Sequence, residues 1–78
     1  MKYFLEFVVN ALVENQDDID IEQVDSPRST IFYIRIHPSD VGKLIGKNGR
    51  TIGAIRTILN AVGRENNTRV QVEVVEDY

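Results

Sequence analysis

The segment Ile45-Gly46-Lys47-Asn48-Gly49-Arg50-Thr51-Ile52 decides how this chain folds, because it sets two glycines between two stretches of helical periodicity. The apolar residues before it predict a short helix of about a turn and a half, and they are Val41, Leu44 and Ile45. Those after it predict a longer helix with a buried face, and they are Ile52, Ile55, Leu59 and Val62. We expect Gly63 to end this second helix as a left-handed cap.

The residues upstream of this segment predict one helix followed by two strands. A core-facing helical stripe is expected from Phe4, Phe7, Val8, Ala11 and Leu12. A short strand at 19–22 and a strand at 31–37, joined through the turn residues 26–30, form a hairpin in this interpretation. Residues 38–40 resemble a helix start at which Ser39 or Asp40 caps free amides.

Val70, Val72 and Val74 alternate with polar residues and predict a third strand. The predicted order is α-β-β-α-α-β, and the crossover through two helices should bring the third strand parallel to its neighbour. The fold class is therefore α+β: a two-layer sandwich with three helices on one face of a three-stranded mixed sheet. The 78 residues suit one small domain, 1–78.

Composition excludes most enzyme chemistries. The chain has no cysteine and one histidine, His37, so disulfides, thiolate or histidine metal sites and cysteine nucleophiles are not expected. We predict a binding protein without cofactor or metal, not an enzyme. The apolar stretch 3–13 carries Glu6 and Asn10 on one helical face, which favours an amphipathic helix over a signal peptide and predicts a cytoplasmic protein away from membranes.

Basic residues are concentrated in one window of a chain whose net charge is −3. Residues 41–64 contain no acidic residue and five basic ones, which are Lys43, Lys47, Arg50, Arg56 and Arg64. Most of the charged residues in 1–40 are acidic. This distribution indicates an anionic ligand near the glycine segment. Gly46 and Gly49 let the backbone take positive φ and let a bulky group approach, and the next helix presents unpaired amides. Such a loop suits a phosphate.

The sequence of the loop also resembles three other kinds of structure. Asn48-Gly49 is a hairpin signal, but its flanks have helical spacing. The spacing from Gly42 through Gly46-Lys47-Asn48 is one residue short of a nucleotide-binding P-loop and lacks the metal-binding hydroxyl. A DNA-binding helix-turn-helix also joins two helices by a short turn, and it stays open as the alternative.

The Ile-Gly-Lys-Asn-Gly-Arg-Thr-Ile segment resembles the signature Ile-Gly-x-x-Gly-x-x-Ile of the KH domain family, and the element order resembles its type II arrangement. The resemblance extends over essentially the whole chain and implies binding of single-stranded RNA. It implies backbone contacts from Gly46, Lys47, Asn48, Gly49, Arg50 and Lys43, and an apolar groove for bases formed by Val41, Leu44, Ile45, Ile34 and Ile36. Arg56, Arg64 and Arg69 are further candidate RNA contacts.

The sequence is compatible with two functions. The first is an RNA chaperone or adaptor for single-stranded RNA, and the second is a protein-interaction module whose acidic surface carries the contacts. The resemblance also implies pairing, either as a homodimer or with a larger KH-containing protein. No small-molecule substrate is expected.

Overall fold

The helices and strands follow one another in the predicted order in the computed structural model of this chain, which describes residues 1–75. They are α1 (Lys2–Leu12), β1 (Asp20–Ser26), β2 (Ser29–Arg35), α2 (Val41–Ile45), α3 (Arg50–Glu65) and β3 (Arg69–Val75). Short 3₁₀ turns lie at Gln16–Asp18, Pro38–Asp40 and Lys47–Gly49. The predicted α+β class, with three helices and a three-stranded mixed sheet, is confirmed.

The sheet has the order β1-β2-β3. β1 and β2 are antiparallel with Ile21 opposite Ile34, and β2 and β3 are parallel with Phe32 opposite Val72. The hairpin is tighter than predicted, since its ladder runs to the pair Ser26 and Ser29. The first strand is therefore longer than 19–22, because pairing across a two-residue turn carries polar residues into the strand.

The hydrophobic core lies between the sheet and the helices. Phe32, Ile34 and Ile36 alternate toward it, as predicted from their period of two, and all three are buried. The helices contribute Leu5, Val9, Leu44, Ile52, Ile55 and Leu59, which are also buried. Each such aliphatic or aromatic side chain contributes about 1.5–3 kcal/mol by leaving water, so this layer holds the two glycine-flanking helices on the sheet.

The predicted core face of α1 is correct for Val8 and Leu12, which are partly buried against the core, and wrong for Phe7 and Ala11. Leu5 and Val9 are buried, whereas Phe7 is 74% exposed and Ala11 is also exposed. The first half of α1 is apolar on several sides, so both sets of residues satisfy helical spacing and the pattern alone does not choose between them. Among residues 1–75, no helix is both long and apolar enough to cross a bilayer.

The predicted cap at the start of α2 is also wrong. The side chain of Asp40 caps no helix; its carboxylate accepts the backbone amides of Glu14 at 3.2 Å and Asn15 at 3.0 Å. The amide of Ser39 instead donates to Nδ1 of His37 at 3.1 Å. The Asp40 carboxylate therefore connects the segment after α1 to the start of α2.

The predicted end of α3 at Gly63 is wrong as well. The helix continues to Glu65, and the left-handed residue after it is Asn67, with φ of 54°. Gly63 is buried inside the helix, where a Cβ would collide with the carbonyl oxygen of Thr68 and lie 2.7 Å from Cγ2 of Val70. This glycine is needed for close packing of α3 on β3, and not for a left-handed cap.

Candidate nucleic-acid interface

The turn between α2 and α3 is built from left-handed backbone. Gly46, Asn48 and Gly49 have φ of 77°, 58° and 73°. The Gly46 amide donates to the Gly42 carbonyl at 2.9 Å, which ends α2, and the Gly49 amide donates to the Gly46 carbonyl at 3.1 Å. α3 begins at the next residue, so four residues join the two helices and bring the amide end of α3 to the turn.

The two glycines of the turn are required for different reasons. A Cβ at Gly46 would collide with the side chain of Thr51 and lie 2.9 Å from its backbone nitrogen. A Cβ at Gly49 would meet nothing within 4 Å, so only its positive φ favours glycine. Gly49 therefore leaves a bare patch of backbone facing open space, where another molecule can approach closely.

Positive charge is gathered around this turn. Lys47, Asn48 and Arg50 are exposed, and within residues 1–75 neither Lys47 nor Arg50 pairs with a carboxylate. The N-terminus of α3 adds the partial positive charge of its aligned amides. The turn is thus suited to attract an anion with charges that no acid of the described chain has neutralised.

Lys43 differs from these cations because it is engaged by two acids. Its Nζ lies 2.9 Å from Oε1 of Glu14 and 3.4 Å from Oδ1 of Asp40. The hydrogen bond to Glu14, with a smaller effect of Asp40, raises the pKa of Lys43 against the opposing effect of burial. The ammonium predicted to flank the loop is therefore held toward the end of α1.

The residues predicted to form the base groove fall into a partly exposed group and a buried group. Val41 and Ile45 are partly buried and retain surface beside the turn. Leu44 and Ile34 have no exposed surface, and Ile36 is buried. Val41 and Ile45 can therefore contact a ligand directly, whereas Leu44, Ile34 and Ile36 are core residues.

Arg56 makes a contact that the sequence did not indicate. Its Nε and Nη2 donate to the carbonyl oxygen of Val72 at 3.2 and 2.9 Å. Val72 belongs to β3, which is the last strand of the sheet on that side. The guanidinium therefore bridges α3 and the outer edge of β3, and its distance from the turn is about two helical turns.

Arg64 and Arg69 lie together at the other end of α3. With Asn60, Asn67 and Thr68 they line a cavity of about 350 Å³. Within residues 1–75 neither arginine pairs with a carboxylate. The two asparagines were missed by the sequence reasoning, although Asn60 lies four residues before Arg64 and so shares its helix face.

One face of α3 connects the turn to this cavity. Gly53, Arg56, Asn60 and Arg64 recur at intervals of three and four residues, which places them in one row beside the edge of β3. A Cβ at Gly53 would meet nothing within 4 Å. This row therefore has no side chain at Gly53, near the turn, and has polar side chains closer to the cavity.

A Gly-x-x-Gly turn between two helices that cross from β2 to a parallel β3, preceded by one helix and one strand, is the arrangement of a type II KH domain. The sequence model of the family described as "KhpA/KhpB, KH domain" matches residues 2–74. The chain belongs to this family of KH proteins.

Individual relatives agree over nearly the full length. The RNA-binding protein KhpA of Chlamydia caviae is 40% identical over 77 residues, which are 99% of this chain and 99% of the relative. The protein of that name from Borreliella burgdorferi is 42% identical over 72 residues, covering 92% and 88%. The one from Aquifex aeolicus is 36% identical over 76 residues, covering 97% and 96%.

Proposed function

We propose that this chain is a non-enzymatic protein that binds single-stranded RNA and acts as an RNA chaperone or adaptor. The observation that carries the proposal is the Gly46–Gly49 turn, with bare backbone, left-handed geometry and unneutralised cations. Residues 1–78 act as one RNA-binding domain, without cofactor or small-molecule substrate. The proposed location is the cytoplasm, where an RNA ligand is available.

The sugar-phosphate backbone of the RNA lies on the turn in this proposal. Lys47 and Arg50 contact phosphates, Asn48 offers a hydrogen bond, and Gly46 and Gly49 allow the close approach. A KH turn of this kind holds about four nucleotides. Lys43 contributes by fixing α2 through Glu14 and Asp40, and it reaches a phosphate only after leaving those acids.

The bases turn toward the surface between α2, α3 and the edge of β3. Val41 and Ile45 supply its apolar surface, with Leu44, Ile34 and Ile36 as the buried layer beneath. Arg56 presents its guanidinium beside this surface, and Arg64 and Arg69 receive the strand as it leaves. Nearly all of these contacts tolerate any base, so most of the affinity is independent of sequence.

A single site of this size has modest affinity, so we propose that the protein works as a pair, either as a homodimer or with KhpB. Phe4, Ile58 and Val62 are exposed apolar residues on α1 and α3. An apolar cavity of about 410 Å³ lies between these two helices and is lined in part by Phe4, Val8 and Ile58. Pairing would cover this surface and link two RNA sites, which raises avidity.

The experiment that tests the RNA site replaces Lys47 and Asn48 together by aspartate. Two carboxylates would then face the phosphate path, and binding of a fluorescent single-stranded RNA should be abolished. Aspartate tolerates the left-handed backbone at residue 48, so the circular dichroism spectrum should not change. The matched control is Lys2→Asp with Asn10→Asp, which changes the net charge equally at exposed positions on α1 and should retain most of the binding.

A further inference from the structure

Two aromatic side chains stand in water on α1. Tyr3 is 88% exposed and Phe7 is 74% exposed. They are four residues apart and so lie one above the other on the helix. A single exposed aromatic is ordinary, but two neighbours beside a cavity indicate a surface that another molecule covers.

The cavity beside them lies between α1 and the start of β1, and its volume is about 560 Å³. We call it the α1–β1 groove. α1 lines it with Tyr3, Glu6, Phe7 and Asn10, and the segment leading into β1 lines it with Gln16, Ile19, Asp20 and Ile21. A groove of this size accommodates a few side chains of a ligand.

The charge of the groove has one sign. Glu6 on α1 and Asp20 on β1 lie on its two walls, and none of its lining residues is a lysine or arginine. Asp20 contacts Arg35 at 3.7 Å but keeps most of its side chain exposed. Two carboxylates together with two exposed aromatic rings are the complement of a guanidinium or ammonium group, which pairs with the former and stacks on the latter.

We propose that the α1–β1 groove binds an extended, arginine-rich segment of a partner protein. Arginine side chains stack on Tyr3 and Phe7 and pair with Glu6 and Asp20. β1 is an outermost strand of the sheet, so it also offers main-chain groups with which an extended segment pairs. None of the groove residues belongs to the Gly46–Gly49 turn, so this site is independent of the proposed RNA site.

The charges exclude two other occupants. RNA phosphates would be repelled by Glu6 and Asp20. The residues that follow the described structure, Glu76 and Asp77, carry the same charge as the groove and do not complement it. The basic turn of a second copy has the right charge, and the experiment below separates that occupant from a distinct partner.

The test uses a fluorescein-labelled peptide of about ten residues that alternates arginine with threonine. Saturable binding to the full chain is expected, with amide chemical-shift changes in α1 and β1. Glu6→Gln with Asp20→Asn should weaken binding about tenfold, because it removes two ion pairs. Tyr3→Ala should weaken it about fivefold even in about 0.3 M salt, where the attraction of distant charges is screened.

The matched control is Glu65→Gln with Glu73→Gln, which removes two exposed acids outside the groove. Unchanged affinity in this variant supports the groove, whereas an equal loss shows that total charge alone attracts the peptide and overturns the proposal. No saturable binding to the unaltered chain at up to about 1 mM also overturns it. If the groove variants lower the mass of the protein in solution without peptide, a second copy is the occupant and the proposal of a distinct partner fails.

Discussion

Asn15 and Asp40 are joined by two hydrogen bonds, since the backbone amide and the side-chain amide of Asn15 each donate to Oδ2 of Asp40 at 3.0 Å. Asp40 has no exposed surface. The pair connects Asn15, three residues beyond the end of α1, with the residue before α2. This carboxylate therefore fixes the segment after α1 against the start of the short helix that leads into the Gly46–Gly49 turn.

Stability at acid pH should depend on Asp40. The Asn15 amide is the largest cause that lowers the pKa of Asp40, and the side chain of Asn15 and the Glu14 amide add to it, whereas burial opposes it. A lowered folded pKa means that the stabilisation is complete above the unfolded value of about 3.9 and is lost as the pH falls below it. Urea midpoints measured at several pH values should fall steeply below about pH 4.

The variant Asp40→Asn provides the control for that pH dependence. It should melt on the order of 5–10 °C lower at neutral pH, because it removes charge-assisted hydrogen bonds. Its urea midpoint should change less below about pH 4 than that of the unaltered chain. A constant difference between the two proteins from neutral to acid pH would contradict the assignment.

Gly46→Ala should destabilise the fold by about 2–4 kcal/mol, because it combines positive φ with a collision against Thr51. Gly42→Ala is the matched variant inside α2, where a Cβ meets nothing within 4 Å. It should stabilise the protein by about 0.5–1 kcal/mol. Chemical denaturation measures both, and similar values for the two variants would show that the turn relaxes around residue 46.

A second glycine pair tests the packing of α3. Gly63→Ala should destabilise by about 1–3 kcal/mol, because the added Cβ meets the carbonyl of Thr68 and the side chain of Val70. Gly53→Ala, in the same helix, has open space and should stabilise by about 0.5–1 kcal/mol. Thermal melts of the two variants should shift in opposite directions, and shifts of the same sign would count against the packing described for Gly63.

Single strands should bind at least about tenfold more tightly than duplexes, because bases must be unstacked to reach Val41 and Ile45. The measurement compares one RNA sequence alone and annealed to its complement, at one salt concentration. Equal affinity for the two would remove the role of the apolar surface. Tighter binding to duplex DNA would support the helix-turn-helix interpretation of α2 and α3.

The salt dependence of RNA binding should report Arg64 and Arg69. Each phosphate contact contributes roughly −0.7 to the slope of log affinity against log salt for a single strand. Arg64→Gln with Arg69→Gln should therefore make the slope less steep by about 1.4 if both arginines hold phosphates. Lys2→Gln, at an exposed position at the start of α1, should leave the slope unchanged, as would the double variant if the cavity holds no phosphate.

Local patterns predicted the fold well where one helix or strand face differs from the other. The alternation of Phe32 and Ile34 with polar or amphipathic residues is such a signal. The pattern failed on α1, because Leu5 and Phe7 are both apolar and only the packed sheet decides which is buried.

The turn between α2 and α3 was predictable from the glycines at 46 and 49, but the contacts of the charged residues around it were not. The partners of Lys43, which are Glu14 and Asp40, and the contact of Arg56 with Val72 depend on tertiary packing between distant segments. Residue spacing carries no information about such pairs. The conformation of the turn was therefore predictable from sequence, whereas the set of cations left without a partner was not.

The contact between Arg56 and Val72 has a consequence for the behaviour of the protein at high concentration. An outermost strand exposes main-chain groups to which strands of other molecules add, and this is how sheets grow into aggregates. On β3 the Val72 carbonyl already accepts two donors from Arg56, and the bulk of the guanidinium lies where a neighbouring strand would have to align. The side chain thereby occupies one main-chain acceptor of the valine-rich strand, and a further strand is hindered from adding to the sheet edge at that point.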